Sequence, residues 1–220
     1  FGAVQIGPNN INKGWDWCSG YHYSDSIVIG FSHLHLNGTG CSDTGDILFM
    51  PYTGKARTQP GTQQDPLSGY ASYYSKDNER ALPGYYEVLL KTHRTKVELT
   101  ASDRVAFHRY TFPKDVEKHV MINLKDANGD DRPTDTYLEQ INDTVIRGYR
   151  YSTGWSKKQQ IYFSAVFSQP VHLTLYHDSV QVAGNRLQGL DVKGNVAVAP
   201  VVEELGVKVG ISPVSMENAM

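Results

Sequence analysis

The stretch Lys96-Val97-Glu98-Leu99-Thr100-Ala101 alternates in character, with Val97, Leu99 and Ala101 at every second position. Period-two alternation is typical of a half-buried β-strand, because successive side chains point to opposite faces. The same kind of pattern recurs at Val105 with Phe107, at Val120, Ile122 and Leu124, over 161–167, at Leu173 with Leu175, and at Val207, Val209 and Ile211. Helical periodicity is almost absent. The sequence therefore predicts an all-β fold, an antiparallel two-sheet β-sandwich.

Clusters of turn-forming residues separate the predicted strands. They are Pro83-Gly84, Asn128-Gly129-Asp130-Asp131, Ala183-Gly184-Asn185 and Lys193-Gly194-Asn195. Glycine, proline and asparagine favour chain reversal, so we predict a turn at each cluster. No repeat or linker divides the 220 residues. Sandwiches of roughly 200–250 residues are common as one domain, so we predict a single domain over 1–220.

The charge pattern excludes two classes of partner. The chain has 21 basic and 23 acidic residues, and its longest basic run is Lys157-Lys158. Nucleic acids and anionic membranes need a clustered positive field, so we predict neither as a partner. No apolar run approaches the roughly 20 residues that cross a bilayer, so we predict no membrane span.

A second stretch, from Trp15 to Asp46, concentrates chemically useful side chains. It holds two of the three tryptophans, both cysteines and three of the eight histidines. Indole and phenol rings stack on the apolar face of a sugar, while imidazoles, hydroxyls and carboxylates bind its hydroxyl groups. We predict that this stretch is the wall of a ligand site, exposed at one edge or end of the sandwich. Trp15, Trp17, Tyr21 and Tyr23 would supply the stacking surface.

Two histidines in this stretch form a predicted pair. Ile27 to Leu36 has the composition of one strand. Alternation would place His33 and His35 on one face and Ser32 and Leu34 on the other. A zinc site at these histidines lacks a third ligand at a suitable spacing, so pocket hydrogen bonding is the preferred interpretation.

Two further features have alternative interpretations. Carboxylates at Asp16, Asp25, Asp43 and Asp46 are of the type that binds calcium, but their spacing is not that of an EF-hand loop, and capping of turns is the simpler explanation. Cys18 and Cys41 either form a disulfide bridge or are two unpaired thiols.

Several ordered motifs of the chain resemble one known family. They are Gly20-Tyr21-His22-Tyr23-Ser24-Asp25-Ser26, Gly30-Phe31-Ser32-His33, Gly38-Thr39-Gly40-Cys41, Gly45-Asp46-Ile47-Leu48-Phe49-Met50-Pro51, Glu79-Arg80-Ala81-Leu82-Pro83-Gly84-Tyr85-Tyr86 and Phe107-His108-Arg109-Tyr110. Together they resemble the amino-terminal domain of the family 92 glycoside hydrolases, which are calcium-dependent α-mannosidases. The resemblance covers essentially the whole chain.

This resemblance implies a fold and an activity. The fold would be a galactose mutarotase-like supersandwich. The complete protein would be an exo-acting, inverting α-mannosidase, periplasmic or secreted, that cleaves α-1,2-linked mannose of glycans. Its general acid and base, and most of its calcium ligands, would belong to a following helical (α/α)6 barrel. We therefore expect no catalytic residue in this chain, no activity of the fragment alone, and two partners, which are a mannose-containing glycan and the carboxy-terminal catalytic domain.

The resemblance also indicates which residues bind substrate. Trp17 is the leading candidate for apolar contact with the terminal sugar. Pocket polarity is expected from His22, Asp25, His33, His35, Thr39 and Cys41, and close backbone approach from Gly38 and Gly40.

Two other functions compete with the mannosidase interpretation. The chain would be a stand-alone carbohydrate-binding module in the first and a structural or interaction domain in the second. A binding module needs no helical domain of several hundred residues after it, so the sequence of the parent gene separates these functions.

Overall fold

The computed structural model of the chain describes residues 3–36, 43–129 and 131–220. Within these ranges lie eighteen β-strands, three short 3₁₀ helices and no α-helix. The strands are β1 (Gly7–Asn9), β2 (Ile27–Val28), β3 (Gly30–Ser32), β4 (Leu48–Thr53), β5 (Ser72–Tyr73), β6 (Glu79–Leu82), β7 (Tyr85–Leu90), β8 (Thr95–Ala101), β9 (Val105–Thr111), β10 (Lys118–Asn123), β11 (Arg132–Asn142), β12 (Val145–Thr153), β13 (Gln159–Phe167), β14 (Val171–His177), β15 (Val180–Val182), β16 (Arg186–Gly189), β17 (Val192–Val198) and β18 (Glu204–Ser212). The 3₁₀ helices are Trp15–Trp17, Pro66–Ser68 and Lys76–Asn78.

The strands form two large sheets and one small one. Seven strands pair in the order β1-β3-β4-β10-β17-β14-β15, and nine in the order β16-β11-β12-β13-β18-β9-β8-β7-β6. Strands β2 and β5 form a separate pair. Neighbouring strands in the large sheets run antiparallel, as in β10 with β17 and β8 with β9. The predicted antiparallel β-sandwich is confirmed.

The hydrophobic core lies between the two large sheets. Val97 and Leu99 of the alternating stretch are almost fully buried. Phe49 of β4 and Phe163 of β13 meet edge to face across the sheets, with ring centroids 6.2 Å apart. Aromatic rings prefer this geometry over a face-to-face sandwich. The period-two pattern thus identified the surfaces that the two sheets bury against each other.

The turn predicted at Lys193-Gly194-Asn195 is wrong, because all three residues lie inside strand β17. A Cβ atom on Gly194 would stand 2.4 Å from Cδ2 of Leu138 and 2.7 Å from Cδ1 of Leu173. Leu138 belongs to the opposite sheet, so this glycine lets the two sheets approach closely. Glycine is here a packing residue of a central strand.

The other predicted turns agree with the structure to the extent that it describes them. Gly84 joins β6 to β7, and Gly184 lies between β15 and β16. Asn128 and Gly129 lie between β10 and β11, and Asp130 is outside the described residues. Within the described part of the chain, no helix is long and apolar enough to cross a membrane.

The single strand predicted from Ile27 to Leu36 is also wrong. Strand β2 pairs with β5, whereas β3 pairs with β1 and β4, so the chain changes sheets at Ile29. Strand β3 ends at Ser32, and His35 forms only an isolated bridge with Thr44. Local alternation did not reveal this change of partner, because strand pairing depends on contacts with distant segments. The longer stretch from Trp15 to Asp46, predicted to be exposed, is largely buried where the structure describes it. Exposure is confined to parts of it, such as Trp15 and Tyr23.

Candidate functional site

Three of the predicted site residues contact one another in a group that we call the Trp17 cluster, made of Lys13, Trp17, His22 and Asp25. Trp17 ends the first 3₁₀ helix and is half-buried. Its ring stacks on His22, with centroids 4.2 Å apart and planes inclined by 24°. Its Nε1–H donates to Oδ2 of Asp25 over 2.9 Å. The indole is therefore fixed in position while part of it stays exposed.

Asp25 is the buried hub of this cluster. Its Oδ2 also binds the ammonium of Lys13 at 2.8 Å, and its Oδ1 accepts the backbone N–H groups of Ser26 and Ile27 at 2.7 and 2.9 Å. Burial alone would raise the pKa of this carboxyl, but the hydrogen bonds from these donors outweigh burial and hold the pKa below its usual value. Asp25 is thus a charged group that orients Trp17.

His22 presents one ring nitrogen for an external partner. Its Nδ1 accepts the backbone N–H of Ser24 at 3.2 Å, and the hydroxyl of Ser24 lies 2.8 Å away. A neutral imidazole that accepts at Nδ1 carries its proton on Nε2. No hydrogen bond of a described residue engages that Nε2–H. It is a donor of the kind that binds a sugar hydroxyl.

A cavity of about 550 Å³ opens beside the same segment, and we call it the tyrosine cavity. The side chains that matter here are those of Tyr21, Tyr23, His35, Lys76, Glu79 and Tyr86. His35 is held there by its Nδ1–H, which donates to the carbonyl of Gln5 at 2.8 Å, and its Nε2 lies 2.9 Å from the hydroxyl of Ser32. The volume of the tyrosine cavity falls in the range of small-molecule pockets.

The ammonium of Lys76 organises the wall of the tyrosine cavity. Its Nζ lies 4.6, 4.8 and 4.7 Å from the ring centroids of Tyr21, Tyr23 and Tyr74, which is the range of cation–π contacts. It also binds Oε2 of Glu79 at 2.9 Å. Burial opposes the charge on Lys76, but hydrogen bonds to Tyr21 and Glu79 raise its pKa above the ordinary value. The rings of Tyr21 and Tyr23 in the cavity wall are thus held in position by the Lys76 ammonium group.

His33 lies elsewhere, and the predicted pairing of His33 with His35 is wrong. The His33 side chain is fully buried between the sheets. Its Nδ1–H donates to the carbonyl of Ile47 at 2.6 Å, and its Nε2 lies 3.0 Å from Nε2 of His108. Ser32, predicted on the opposite face, is instead the neighbour of His35. The chain bends after Ser32, which turns the two imidazoles toward different partners.

The buried histidines form a directional chain of hydrogen bonds. Because His33 uses its Nδ1 proton toward a carbonyl, its Nε2 accepts the proton of His108 Nε2. Nδ1 of His108 then accepts the hydroxyl proton of Tyr110 at 2.7 Å. Burial lowers the pKa of His33 to about 4 and that of His108 well below its usual range. Both rings are neutral, and no solvent-facing atom of His33 is left to contact a ligand.

The remaining predicted site residues, Gly38, Thr39, Gly40 and Cys41, lie outside the described residues. Their substrate-binding roles stay predictions. The described flanks are Leu36, which lines the tyrosine cavity, and the buried Asp43. Cys18 is buried, and its backbone carbonyl accepts the side-chain amide of Asn128. The alternative of a bridge from Cys18 to Cys41 is untested.

The carboxylates considered as calcium ligands mostly face protein donors instead. Asp43 accepts the backbone N–H groups of Thr44 and Trp155, at 2.8 and 2.9 Å. Asp46 forms a buried ion pair with Arg150 at 2.6 Å. Among the residues that the structure describes, no group of three or more His, Cys, Asp or Glu side chains could hold a metal ion. These residues do not fit a calcium site.

Arg150 lies fully buried between two carboxylates. Its Nη1 and Nη2 stand 2.6 Å from Asp46 and 2.6 Å from Asp131, and its Nε–H donates to the carbonyl of Leu124 at 2.9 Å. Burial raises the pKa of Asp46 to about 6, although the positive charge of Arg150 acts to lower this pKa. This network fixes the segment that follows residues 37–42 onto strand β12.

Sequence reasoning missed Lys13 of the Trp17 cluster and Lys76 and Glu79 of the tyrosine cavity. It also missed the hydrogen bond by which Asp43 holds the backbone of Trp155. Lys76 and Tyr21 are 55 positions apart, and Trp155 and Asp43 are 112 apart. No local pattern links such distant positions. The available signal for Trp155 was a tryptophan next to a glycine, in Gly154-Trp155.

The fold defines a class of protein, a two-sheet β-sandwich domain, and the comparisons associate this domain with glycoside hydrolases. The family model for the "Glycosyl hydrolase family 92 N-terminal domain" matches residues 1–212. The chain belongs to this family.

Solved structures agree with this assignment. A family GH92 alpha-mannosidase from Bacteroides thetaiotaomicron, in complex with mannoimidazole, superposes with a TM-score of 0.94 at 35% identity, over 99% of this chain and 30% of that chain. The GH92 family glycosyl hydrolase ccman5 gives 0.83 at 27% identity, over 99% of this chain and 30% of that chain. A family GH92 inverting mannosidase from B. thetaiotaomicron gives 0.80 at 22% identity, over 99% and 28%, and shares the fold.

The coverage is unequal in every case. The chain spans about 30% of the length of the mannosidases that it matches. None of the curated proteins compared with it matches.

Proposed function

We propose that this chain is the sugar-contacting amino-terminal domain of an exo-acting, inverting α-mannosidase that removes α-1,2-linked mannose from glycans. The observation that carries the proposal is the Trp17 cluster, a part-exposed indole held by a buried carboxylate beside an imidazole donor. An apolar ring next to hydrogen-bonding groups is the combination that binds a pyranose. Membership of this family, together with the similarity to a family GH92 alpha-mannosidase, supports mannose as that sugar.

In this proposal the chain positions the substrate, and another part of the protein breaks the bond. Trp17 contacts the apolar face of the terminal mannose, and Nε2–H of His22 donates to one of its hydroxyls. An inverting glycosidase needs two carboxyl groups roughly 6.5–9.5 Å apart, one protonating the leaving group and the other activating water. Asp25, the carboxylate of the Trp17 cluster, is already engaged by donors, and Asp46 is paired with the buried Arg150. We therefore assign both catalytic carboxyls to a carboxy-terminal (α/α)6 barrel domain.

In this proposal the calcium ion, like the catalytic carboxyl groups, is bound outside this chain. Since the described residues do not fit a calcium site, its ligands belong to the rest of the protein, where the ion would bind hydroxyls of the terminal mannose. The proposed location is the periplasm or the extracellular space, where such glycans are available to an exo-acting hydrolase.

The test compares the complete protein with residues 1–220 on an α-1,2-mannobioside, with and without a calcium chelator. We expect the complete protein to release mannose with inversion and to lose activity on chelation. The isolated fragment should release none. Mannose release by the fragment, abolished by substituting one of its own carboxylates, would contradict the division of labour. A parent gene that ends near Met220 would instead favour a stand-alone carbohydrate-binding module.

A further inference from the structure

The tip of the hairpin between strands β12 and β13 carries the most exposed of the three tryptophans. Trp155 keeps 79% of its surface in contact with solvent. Single exposed apolar side chains are common and by themselves need no explanation. What distinguishes Trp155 is how firmly the backbone beneath it is held.

A buried carboxylate anchors this hairpin tip. Asp43 is only 3% exposed, and its Oδ2 accepts the backbone N–H of Trp155 at 2.9 Å. A Cβ atom on Gly154 would stand 2.6 Å from Oδ1 of Asp43, so any larger residue at this position would force the Asp43 carboxyl group to shift. Burying a carboxylate is costly unless donors satisfy it. The fold thus uses a buried carboxyl group to hold the backbone of a residue whose side chain is exposed and adds almost nothing to the core.

The anchor also connects Trp155 to the proposed sugar site. Asp43 directly follows residues 37–42, where the predicted Gly38 to Cys41 contacts lie. The backbone carbonyl of Thr44 accepts the N–H of Asn128 at 2.9 Å. The side-chain amide of Asn128 donates to the carbonyl of Cys18, the residue after Trp17. Three hydrogen bonds therefore link the backbone of Trp155 to that of the Trp17 cluster.

The buried Arg150 network makes this connection rigid. Arg150 and Ser152 of strand β12 bind Asp131, and Arg150 also binds Asp46 on the segment after Asp43. Gln159, at the start of strand β13, donates to the second oxygen of Asp46 at 2.6 Å. Both strands of the hairpin are thereby tied to the segment that carries Asp43. A pre-ordered aromatic surface binds with less loss of conformational entropy.

We propose that Trp155 is an outer stacking surface for the glycan, contacting the apolar face of a sugar residue beyond the terminal mannose. This inference rests on the proposed mannosidase function, because it concerns the same site. Trp17 would then contact the sugar that is released, and Trp155 would select glycans that extend further. The role of Trp155 would be to give the enzyme a preference for longer glycans.

The test uses the complete protein and two substrates, α-mannosyl fluoride, which has one sugar, and α-1,2-mannotriose. We measure kcat/KM for each with the unmodified protein, Trp155→Ala, Trp155→Phe and the control Val201→Ala. The control residue Val201 is 85% exposed. It follows Pro200, whose carbonyl accepts a hydrogen bond from Lys118 at the start of strand β10. In all variants the backbone N–H that binds Asp43 is kept, so the fold should be retained, which thermal unfolding checks.

We expect Trp155→Ala to lower the ratio of kcat/KM for mannotriose to that for the fluoride at least tenfold, about 1.4 kcal/mol. Trp155→Phe should recover most of this ratio, and Val201→Ala should leave it as in the unmodified protein. A ratio within twofold in a folded Trp155→Ala protein would overturn the inference while the mannosidase function stands. Failure of the unmodified protein to hydrolyse either substrate would instead refute the proposed function, and this inference with it.

Discussion

Acid should destabilise this domain through the buried histidines His33 and His108. Their neutral rings form the hydrogen-bond chain from Tyr110 to Ile47, and protonation of either ring breaks it. Burial lowers the pKa of His33 to about 4, against 6.5 in the unfolded chain. The unfolded state therefore binds more protons between these values, so stability is complete above pH 6.5 and is lost as pH falls toward 4.

The size of this effect follows from the pKa difference. For His33, linkage gives a loss of about 2 kcal/mol on going from pH 7 to pH 5. The pKa of His108 is also lowered well below its usual value by burial, so protonation of the unfolded chain at this residue adds a loss in the same direction. Asp46 acts in the opposite direction, because burial raises its pKa to about 6. A comparison between variants that all retain Asp46 removes its contribution.

The assay is urea unfolding of residues 1–220 at pH 7 and pH 5. The double variant His33→Leu/His108→Leu should lose at least about 2 kcal/mol less than the unmodified chain over this interval, which is the contribution of His33 alone. The control His172→Gln, at an exposed position, should behave like the unmodified chain. Equal losses in the double variant and the unmodified chain would refute the reasoning. Imidazole ¹⁵N spectra give a second check, since His33 should stay neutral at pH 5, with its proton on Nδ1.

Two further predictions concern stability. Gly194→Ala should lower the free energy of unfolding by about 1–3 kcal/mol, because the new methyl group overpacks against Leu138 and Leu173; Gly206→Ala, whose Cβ would meet only ordinary contacts of 3.5 Å or more, is the control, and equal effects would contradict the packing role. Arg150→Met should cost about 3–5 kcal/mol at pH 7, because Asp46 and Asp131 lose their buried counter-charge. Its deficit should shrink as pH falls and the carboxyls bind protons, while Arg147→Met, at a partly exposed pair with Glu139, should cost about 1 kcal/mol or less. A deficit that does not change with pH would argue against this charge assignment.

The parts of the structure that local sequence determines were predictable. Alternation at Val97 and Leu99 identified strand β8, since burial of every second side chain is a local property. The Trp17 cluster lies within thirteen residues of chain, from Lys13 to Asp25, and three of its four members, Trp17, His22 and Asp25, were singled out by their chemistry. Short-range loops of this kind keep chemically related residues near one another.

What the sequence did not reveal depends on contacts between distant segments. His33 meets His108 across 75 positions, and this partner places it in the core instead of the pocket. Lys193-Gly194-Asn195 has the composition of a turn, but the opposite sheet packs onto Gly194. Tertiary packing overrides local propensity at such positions. The anchoring of Trp155 by Asp43 is of the same type.

The central claim is that this chain builds part of the mannose site, and Trp17 tests it most directly. The measurement is kcat/KM of the complete protein on an α-1,2-mannobioside for the unmodified enzyme and for Trp17→Ala. Trp17→Phe keeps an apolar ring but cannot donate to Asp25, so it separates stacking from orientation. Val201→Ala, at the exposed position used above, is the control.

We predict that Trp17→Ala lowers kcat/KM at least tenfold, which corresponds to about 1.4 kcal/mol of lost transition-state binding. Trp17→Phe should fall between Trp17→Ala and the unmodified enzyme. A folded Trp17→Ala enzyme with normal kinetics on this substrate would contradict the claim and show that Trp17 serves only the scaffold.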